Sequence, residues 1–289
     1  MTDKVEFSTP KFSLILATIN RQDDVEILLT SLAAQEFMDF EVILVDQNLD
    51  GRLDKIVTNF STKIKIQRIL SEPGLSRARN NGLKLATGEL VAFPDDDCFY
   101  PPWLLTEVAK LFLKNPGIDG VAGRTIGLQD QAFYRGWPLV PLTPINVWQK
   151  AISYTIFLQK QLVDRVGLFD ESLGVGAGTP WGSGEETDFL LRSMAAGAKL
   201  VHQGGLVVHH PDKALDRTND EIARSARYAR GTGRVLRKNI DLIGPGGVAY
   251  SVLRSCGGIM ASLCRADWFS VKVFSTRLYG KVTGLLAER

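Results

Sequence analysis

The first hundred residues alternate short apolar runs rich in β-branched residues with segments whose apolar residues recur at helical spacing. Parallel strands joined by helical crossovers produce this alternation. The helix after the first run starts near Asp23, whose spacing from Glu26 is typical of a capping box. The sequence therefore predicts an α/β fold with a mostly parallel central sheet flanked by helices, whose strands cover residues 12–18, 40–46, 64–70 and 89–93.

In a parallel sheet the carboxyl ends of the strands meet along one edge, and ligands bind there. The segment that follows the fourth predicted strand is Pro94-Asp95-Asp96-Asp97. Three adjacent carboxylates repel each other unless a cation or hydrogen-bond donors neutralise them. Their hard oxygen atoms suit Mg²⁺ or Mn²⁺, which also bind phosphate oxygens. A solvated turn in which one Asp caps the next helix is the alternative.

Two other acidic positions suit chemistry at the same edge. Asp46 ends the second strand, where a carboxylate can accept a hydrogen bond from the N3–H of uracil or thymine, although Asp is also an ordinary turn residue. Glu185 and Glu186 follow a glycine-rich loop and begin a helix, where a carboxylate can act as general base on a sugar hydroxyl. Ser183 and Glu186 are equally well spaced for a capping box.

Basic and imidazole groups complete the candidate site. Arg77 and Arg79 lie at the start of a helix, where guanidinium groups suit phosphate or base contacts and also balance the Asp cluster. His209 and His210 follow the last predicted strand. A neutral imidazole there could join a metal shell, although histidines at a strand end are more often structural.

The charge of the chain is unevenly distributed. Residues 213–289 carry 14 Lys and Arg against 6 Asp and Glu, whereas residues 1–212 carry 20 against 26. The negative body argues against a nucleic-acid partner. The basic segment also contains aromatic and aliphatic residues, a combination typical of helices on an anionic membrane surface. A helical extension that packs on the preceding domain explains the same pattern equally well.

The basic segment is predicted to be helical but not to span a membrane. Four of its cations share one helix face, which Gly231 and Gly233 could interrupt; they are Arg224, Arg227, Arg234 and Lys238. Its uncharged stretches are shorter than the roughly 18–20 residues that a bilayer requires. The first residues lack the apolar core of a signal peptide. We expect a cytoplasmic protein, peripheral on the inner face of the cell membrane.

Four segments, taken in order, resemble glycosyltransferase family 2, the inverting nucleotide-sugar transferases of the GT-A fold. The segments are SLILATINR, SLAAQEFMDFEVILVDQN, LSRARNNGLKLATGELVAFPDDD and VGLFDESLGVGAGTPWGSGEETDFLLRSMAAGAKLV. The likeness covers roughly residues 11–211. It implies a GT-A domain over residues 1–212, followed by a basic amphipathic helical extension over residues 213–289.

The resemblance implies a role for most residues at the sheet edge. It implies a nucleotide site formed by Thr18, Asn20, Arg21, Asp46, Arg77, Arg79 and Asp95. It implies a metal site, for Mg²⁺ or Mn²⁺, formed by Asp96, Asp97 and His210. Glu185-Glu186 stands where the family has its Glu-Asp motif, which puts Glu186 at the position of the base and leaves Glu185 as the other candidate. We expect Trp181 and Asp188 to contact the acceptor.

The resemblance implies transfer of a sugar from a nucleoside diphosphate, with a UDP-sugar favoured, to a hydroxyl of a saccharide or lipid-linked saccharide. Synthesis of a bacterial surface polysaccharide is the expected setting. A sugar nucleotidyltransferase is one alternative, although the segment after the first strand lacks the phosphate loop such enzymes carry. A non-catalytic protein that binds sugar nucleotides at a membrane is the other.

Overall fold

A computed structural model describes residues 12–134, 136–211 and 217–287. The predicted boundary at residue 212 and the N-terminal segment without a signal-peptide pattern therefore lie largely outside the described residues. Within those residues the strands are β1 (Phe12–Thr18), β2 (Phe40–Asp46), β3 (Lys65–Leu70), β4 (Leu90–Ala92), β5 (Gly120–Ile126), β6 (Val140–Pro141), β7 (Ile156–Gln159) and β8 (Leu200–His209). The helices there are α1 (Asp23–Ala33), α2 (Asp54–Phe60), α3 (Leu75–Leu83), α4 (Leu104–Lys114), α5 (Val147–Lys150), α6 (Lys160–Val166), α7 (Glu185–Ala195), α8 (Asn219–Lys238), α9 (Ile240–Cys264) and α10 (Trp268–Leu286).

The strands form one sheet in the order β3-β2-β1-β4-β7-β5-β8-β6. The pairs within β3-β2-β1-β4 are parallel, as predicted, and so is the pair β5-β8. β7 runs antiparallel between β4 and β5, and β6 is antiparallel to β8. The mostly parallel α/β architecture predicted from the sequence is confirmed.

Both faces of the sheet are covered, which explains why β1 and β2 are apolar at almost every position. Leu14 and Leu16 join an apolar cluster that includes residues of α1 and α4. Ile15, between them in the chain, points the other way into a second cluster with residues of α3 and α7. The two clusters fix the strand ends, and with them the polar residues that follow.

Two predicted capping boxes do not form. α1 begins at Asp23, but its N-cap is Gln22 and makes no side-chain cap, because Asp23 is already inside the helix. α7 has Gly184 as its N-cap, with φ of 95°. The Ser183 hydroxyl donates instead to the carbonyl oxygen of Tyr228 on α8 (2.9 Å).

Gly231 and Gly233 do not interrupt α8, which runs unbroken to Lys238. They are glycines because other backbone lies against them. A Cβ on Gly231 would lie 2.2 Å from the carbonyl oxygen of Ser183, and one on Gly233 would lie 2.2 Å from that of Lys281. Close helix packing through small residues accordingly joins α8 to the loop before α7 and to α10.

Two of the four cations on the face predicted for α8 contact residues outside that helix. Lys238 pairs with Asp170 and with Asp188 of α7. The Arg234 guanidinium lies over the Trp181 ring, 5.6 Å from its centroid. For α8, these contacts favour the packed extension over the membrane-facing helix.

α9 is the helix in the described part of the chain whose length and composition would suit a bilayer span. It extends over 25 residues, with an 18-residue window of mean hydropathy 1.2. Its helical backbone is interrupted at Gly244, with φ of 70°, immediately before Pro245. A single such helix is weak support for a span, and Asp241 and Arg254 limit its longest uncharged stretch to residues 242–253.

Candidate active site

The carboxyl ends of β1, β2 and β4 meet at one edge, as the parallel topology requires. Asp95 forms an isolated parallel bridge with Ala17, which places the Asp triplet directly beside the end of β1. Phe99 forms an antiparallel bridge with His209. This second bridge brings the end of β8, and with it His210, to the triplet.

Asp95, Asp97 and His210 form a group that could hold a metal ion. One ligand atom from each lies within 4.8 Å of the others. Nε2 of His210 is 3.0 Å from Oδ1 of Asp97. Adjacent ligands of an octahedral ion bound at about 2.1 Å lie about 3.0 Å apart, so this pair has the spacing of neighbouring ligands.

The tautomer of His210 also fits a metal ligand. Its Nδ1 lies 2.9 Å from the carbonyl oxygen of Pro211, which can only accept a hydrogen bond. Nδ1 therefore carries the proton. In the neutral imidazole, the lone pair of Nε2 then faces the Asp97 carboxylate. Two acceptors at that distance need a proton or a cation between them.

Asp96 lies at the same edge of the sheet but outside the group formed by Asp95, Asp97 and His210. Its Oδ2 accepts from the Thr18 hydroxyl (2.7 Å), and its Oδ1 lies 3.4 Å from Nε of Arg21. Burial raises the pKa of Asp96 to about 6. The structure thus groups Asp95, rather than Asp96, with Asp97 and His210, because the chain turns at Asp96 and Asp97 and the Asp96 side chain is held by Thr18.

Arg79 joins the two acidic motifs. Its side chain is almost fully buried, and its two terminal nitrogens donate to Asp95 and to Glu185 at 3.0 Å each. The guanidinium also lies 5.9 Å from the ring centroids of Phe93 and Phe169. A buried cation between two carboxylates positions both of them rigidly, so Arg79 couples the Asp triplet to the start of α7.

Glu186 has different surroundings from Glu185. It lines a small cavity whose other walls include Phe93, Phe169 and Phe189. Burial and the adjacent Glu185 carboxylate raise the pKa of Glu186 well above its ordinary range. A carboxylate of raised pKa can take up a proton more readily than an ordinary one, which is the property of a general base.

The predicted nucleotide residues around β2 already have partners. Asp46 is fully buried; its Oδ2 accepts from Arg68 (2.6 and 2.9 Å), and its Oδ1 accepts from Asn48. The backbone N–H of Asn20 donates to the side chain of Asn48 (2.7 Å), and Asn20 adopts a left-handed conformation, φ 58°. Arg77 extends outward to Glu171 (3.2 Å).

The two predicted acceptor residues are placed differently from each other. Asp188 is fully buried and bonded to Arg192, Lys238 and Asn239, so it ties α7 to α8 and cannot contact an acceptor from this position. Asp188 is the fourth residue of α7, and this position faces the protein interior. Trp181 is half-buried in the loop before α7.

Sequence reasoning missed two partners of predicted residues. The Tyr154 ring stacks on His210, with centroids 4.6 Å apart; no sequence signal joins residues so far apart in the chain. Arg68 neutralises Asp46 and was detectable, because a buried carboxylate at the end of a mostly apolar strand needs a cation on a neighbouring strand.

Comparison with known proteins assigns the chain to a family. The model of the family "Glycosyl transferase family 2" matches residues 13–165. The GalNAc(5)-diNAcBac-PP-undecaprenol beta-1,3-glucosyltransferase of Campylobacter jejuni is 37% identical over 92 residues, which are 30% of this chain and 30% of that protein. The matched stretches span about a third of the length of the first curated relatives.

Solved structures agree on the fold. A mannosyltransferase from Pyrobaculum calidifontis, in complex with GDP-Man and Mn²⁺, superposes with a TM-score of 0.68 at 16% identity, covering 98% of this chain and 89% of that one. Residues 1–349 of TarS from S. aureus, in complex with UDP-GlcNAc, give 0.58 at 19% identity, covering 94% and 92%. The chain therefore belongs to glycosyltransferase family 2 and has the GT-A fold.

Proposed function

We propose that this protein is an inverting, metal-dependent glycosyltransferase that uses a nucleoside-diphosphate sugar. The observation that carries the proposal is the Arg79 bridge, which places the Asp95–Asp97–His210 group and the carboxylates of α7 around one edge of the sheet. A donor diphosphate needs cations and an acceptor hydroxyl needs a base. This edge offers both.

Asp95, Asp97 and His210 would hold Mg²⁺ or Mn²⁺ when it is bound, and the ion would neutralise charge on the donor diphosphate. Glu186 takes the proton of the acceptor hydroxyl while that oxygen forms a bond to the anomeric carbon of the donor sugar. The bond from that carbon to the phosphate oxygen breaks, and the nucleoside diphosphate leaves with the electron pair. One displacement inverts the anomeric centre and requires no nucleophile from the protein.

A UDP-sugar is the donor we favour, and a saccharide or lipid-linked saccharide is the acceptor. A structural neighbour of this fold was solved with UDP-GlcNAc, and a relative is named for a diphosphate-undecaprenol substrate. We place the reaction in bacterial surface polysaccharide synthesis, in the cytoplasm at the inner face of the membrane. Transfer to a lipid-linked acceptor requires the enzyme at that surface.

Donor hydrolysis tests the proposal without knowledge of the acceptor. The protein is incubated with UDP-, dTDP- and GDP-sugars and Mn²⁺, and release of the nucleoside diphosphate is measured. We expect hydrolysis of one donor class, abolition by EDTA, and a loss of about 100-fold or more in Asp97→Ala and His210→Gln.

His202→Gln is the matched control, because His202 lies on the same strand as His209 but outside the site. We expect it to keep normal activity. The absence of metal-dependent hydrolysis with every donor, combined with thermal stabilisation by a nucleotide and Mn²⁺, would support the non-catalytic alternative. The absence of both would overturn the nucleotide-sugar proposal.

A further inference from the structure

A cavity in the described part of the chain lies in the C-terminal helices, not at the acidic edge. It has a volume of about 410 Å³. Residues of α8, α9 and α10 line it, together with the segment before and within α5. The proposed donor site leaves this cavity without a role.

The cavity wall is strongly cationic. Four of its residues are basic and one is acidic; they are Arg224, Arg254, Arg277, Lys281 and Glu221. Glu221 pairs with Arg224. Among the described residues no carboxylate forms an ion pair with the other three cations, so the wall carries an excess of positive charge that an anion would neutralise.

These cations come from different helices and converge on the same space. Arg277 donates to the Ser225 hydroxyl of α8 (3.3 and 3.4 Å), and Nζ of Lys281 donates to the carbonyl oxygen of Ser251 on α9 (2.7 Å). Burial, with Arg254 and Arg277 nearby, lowers the pKa of Lys281 to about 8. A group of like charges held this close is destabilising unless a ligand compensates it.

The surroundings of the cavity favour a ligand with an apolar portion. Trp148, Tyr250 and Phe274 also line it. α9, which forms one wall of the cavity, also exposes Leu253 (64%) and Met260 (60%), which are not among the lining residues. Cations beside aromatic rings and an exposed apolar helix suit an amphiphile whose head group is a phosphate.

One residue connects the cavity to the candidate active site. Tyr228 lines the cavity, and its carbonyl oxygen accepts the hydrogen bond of Ser183, next to the start of α7. Burial raises the pKa of the Tyr228 hydroxyl, and Arg224, Glu185 and Glu186 also act on it. The phenol therefore lies within electrostatic reach of both the cavity cations and the proposed base.

We propose that this cavity is an anion site that binds the phosphate or diphosphate group of a lipid-linked acceptor and so holds the acceptor sugar near α7. The identification of the ligand as an acceptor rests on the proposed function, whereas the anion site itself does not depend on it. A diphosphate on a lipid and a soluble diphosphate share the chemistry that the four cations recognise.

Direct binding tests the site separately from catalysis. Geranylgeranyl diphosphate and inorganic pyrophosphate are titrated into the protein by calorimetry, with EDTA present so that metal-dependent binding at the acidic edge is excluded. We expect binding that weakens about tenfold or more in Arg254→Glu and in Lys281→Gln. Arg265→Glu, an exposed cation at the end of α9 outside the cavity, is the control and should bind normally.

The outcomes distinguish a lipid-linked diphosphate from a soluble one, and they distinguish failure of the anion site from failure of the proposed glycosyltransferase function. Tighter binding of geranylgeranyl diphosphate than of pyrophosphate assigns the site to a lipid-linked ligand; equal binding supports the anion site and overturns the lipid assignment. No binding of either, or equal loss in Arg265→Glu, overturns the anion site. Arg254→Glu should keep metal-dependent donor hydrolysis, because Arg254 lies outside the proposed donor site. Failure of donor hydrolysis in the wild-type protein would contradict the proposed function but not the anion site.

Discussion

Glu185 and Glu186 are adjacent at the start of α7 but have different surroundings. Glu185 is held by the buried Arg79, whereas Glu186 lies among aromatic rings without such a partner among the described residues. The sequence identified both as candidates for the base and could not separate them. Their environments do so, and they favour Glu186.

We predict that the activity of the enzyme depends on the ionisation of Glu186. The base must be deprotonated to accept the hydroxyl proton, so kcat/KM should rise with pH through a pKa above the ordinary glutamate value of about 4.3. Glu186→Gln should lower kcat by about 100-fold to 10,000-fold, because a general base contributes roughly that much.

Glu186→Asp is the conservative variant and should recover part of the activity with a shifted pH profile. Circular dichroism should show that all three proteins are folded alike. Near-normal turnover of Glu186→Gln would remove Glu186 from this role and leave Glu185, which the same measurements on Glu185→Gln would examine.

The positions of the site residues were largely predictable, but their pairings were not. Asp97 and His210 were assigned to one metal site, and the structure brings them to 3.0 Å. Asp95 takes the place expected of Asp96, because the chain turns at Asp96 and Asp97 and no spacing rule specifies which of three faces the histidine. Asp188 was expected at the acceptor, but the fourth position of α7 faces the protein interior and the side chain is fully buried.

At the level of elements, α8 and α10 approach each other through glycines on both helices. A Cβ on Gly284 would lie 2.2 Å from the carbonyl oxygen of Arg230, so no larger side chain fits without separating the helices. A Cβ on Gly257 of α9, by contrast, would have no atom from outside its own part of the helix within 4 Å. The two glycines are therefore a matched pair for testing this contact.

We predict that Gly284→Val lowers the free energy of unfolding by about 1–3 kcal/mol or more, because overpacking forces the backbones apart. Gly257→Ala should be neutral or stabilising by up to about 1 kcal/mol, since alanine is the better helix former. Urea denaturation followed by circular dichroism measures both. Equal stability of the two variants would contradict the close packing.

Strands were easier to predict than their order in the sheet. The sequence predicted β1 and β2 with the bounds observed, because buried parallel strands are continuous apolar runs. It did not indicate that β7 enters the sheet antiparallel between β4 and β5. That position depends on contacts between distant segments, which local periodicity does not report.

At the scale of the whole molecule, exposed apolar residues concentrate on the C-terminal helices. On α9 and α10 the most exposed are Leu253, Met260, Trp268, Tyr279 and Leu286, each at least 60% exposed. Cations lie among them, as in helices that bind anionic membrane surfaces. On α8, by contrast, Lys238 and Arg234 contact other parts of the protein.

We predict that the protein floats with vesicles containing phosphatidylglycerol, and less with vesicles of phosphatidylcholine alone, because the helices combine cations with apolar side chains. Leu253→Ser combined with Met260→Ser should reduce flotation, as these residues share one helix face. Leu49→Ser, a fully exposed loop residue of the α/β part, is the control and should leave it unchanged. Identical recovery of the three proteins would show that α9 does not contact lipid.

The hydrogen bond from Ser183 to Tyr228 has a consequence for engineering this enzyme. The loop that leads into α7 packs on α8, and Gly231 allows that contact. A chimera that exchanged only the C-terminal helices with those of a relative would pair a foreign helix with the native loop. Altering acceptor choice by such an exchange would require transplanting residues 174–184 together with the helices.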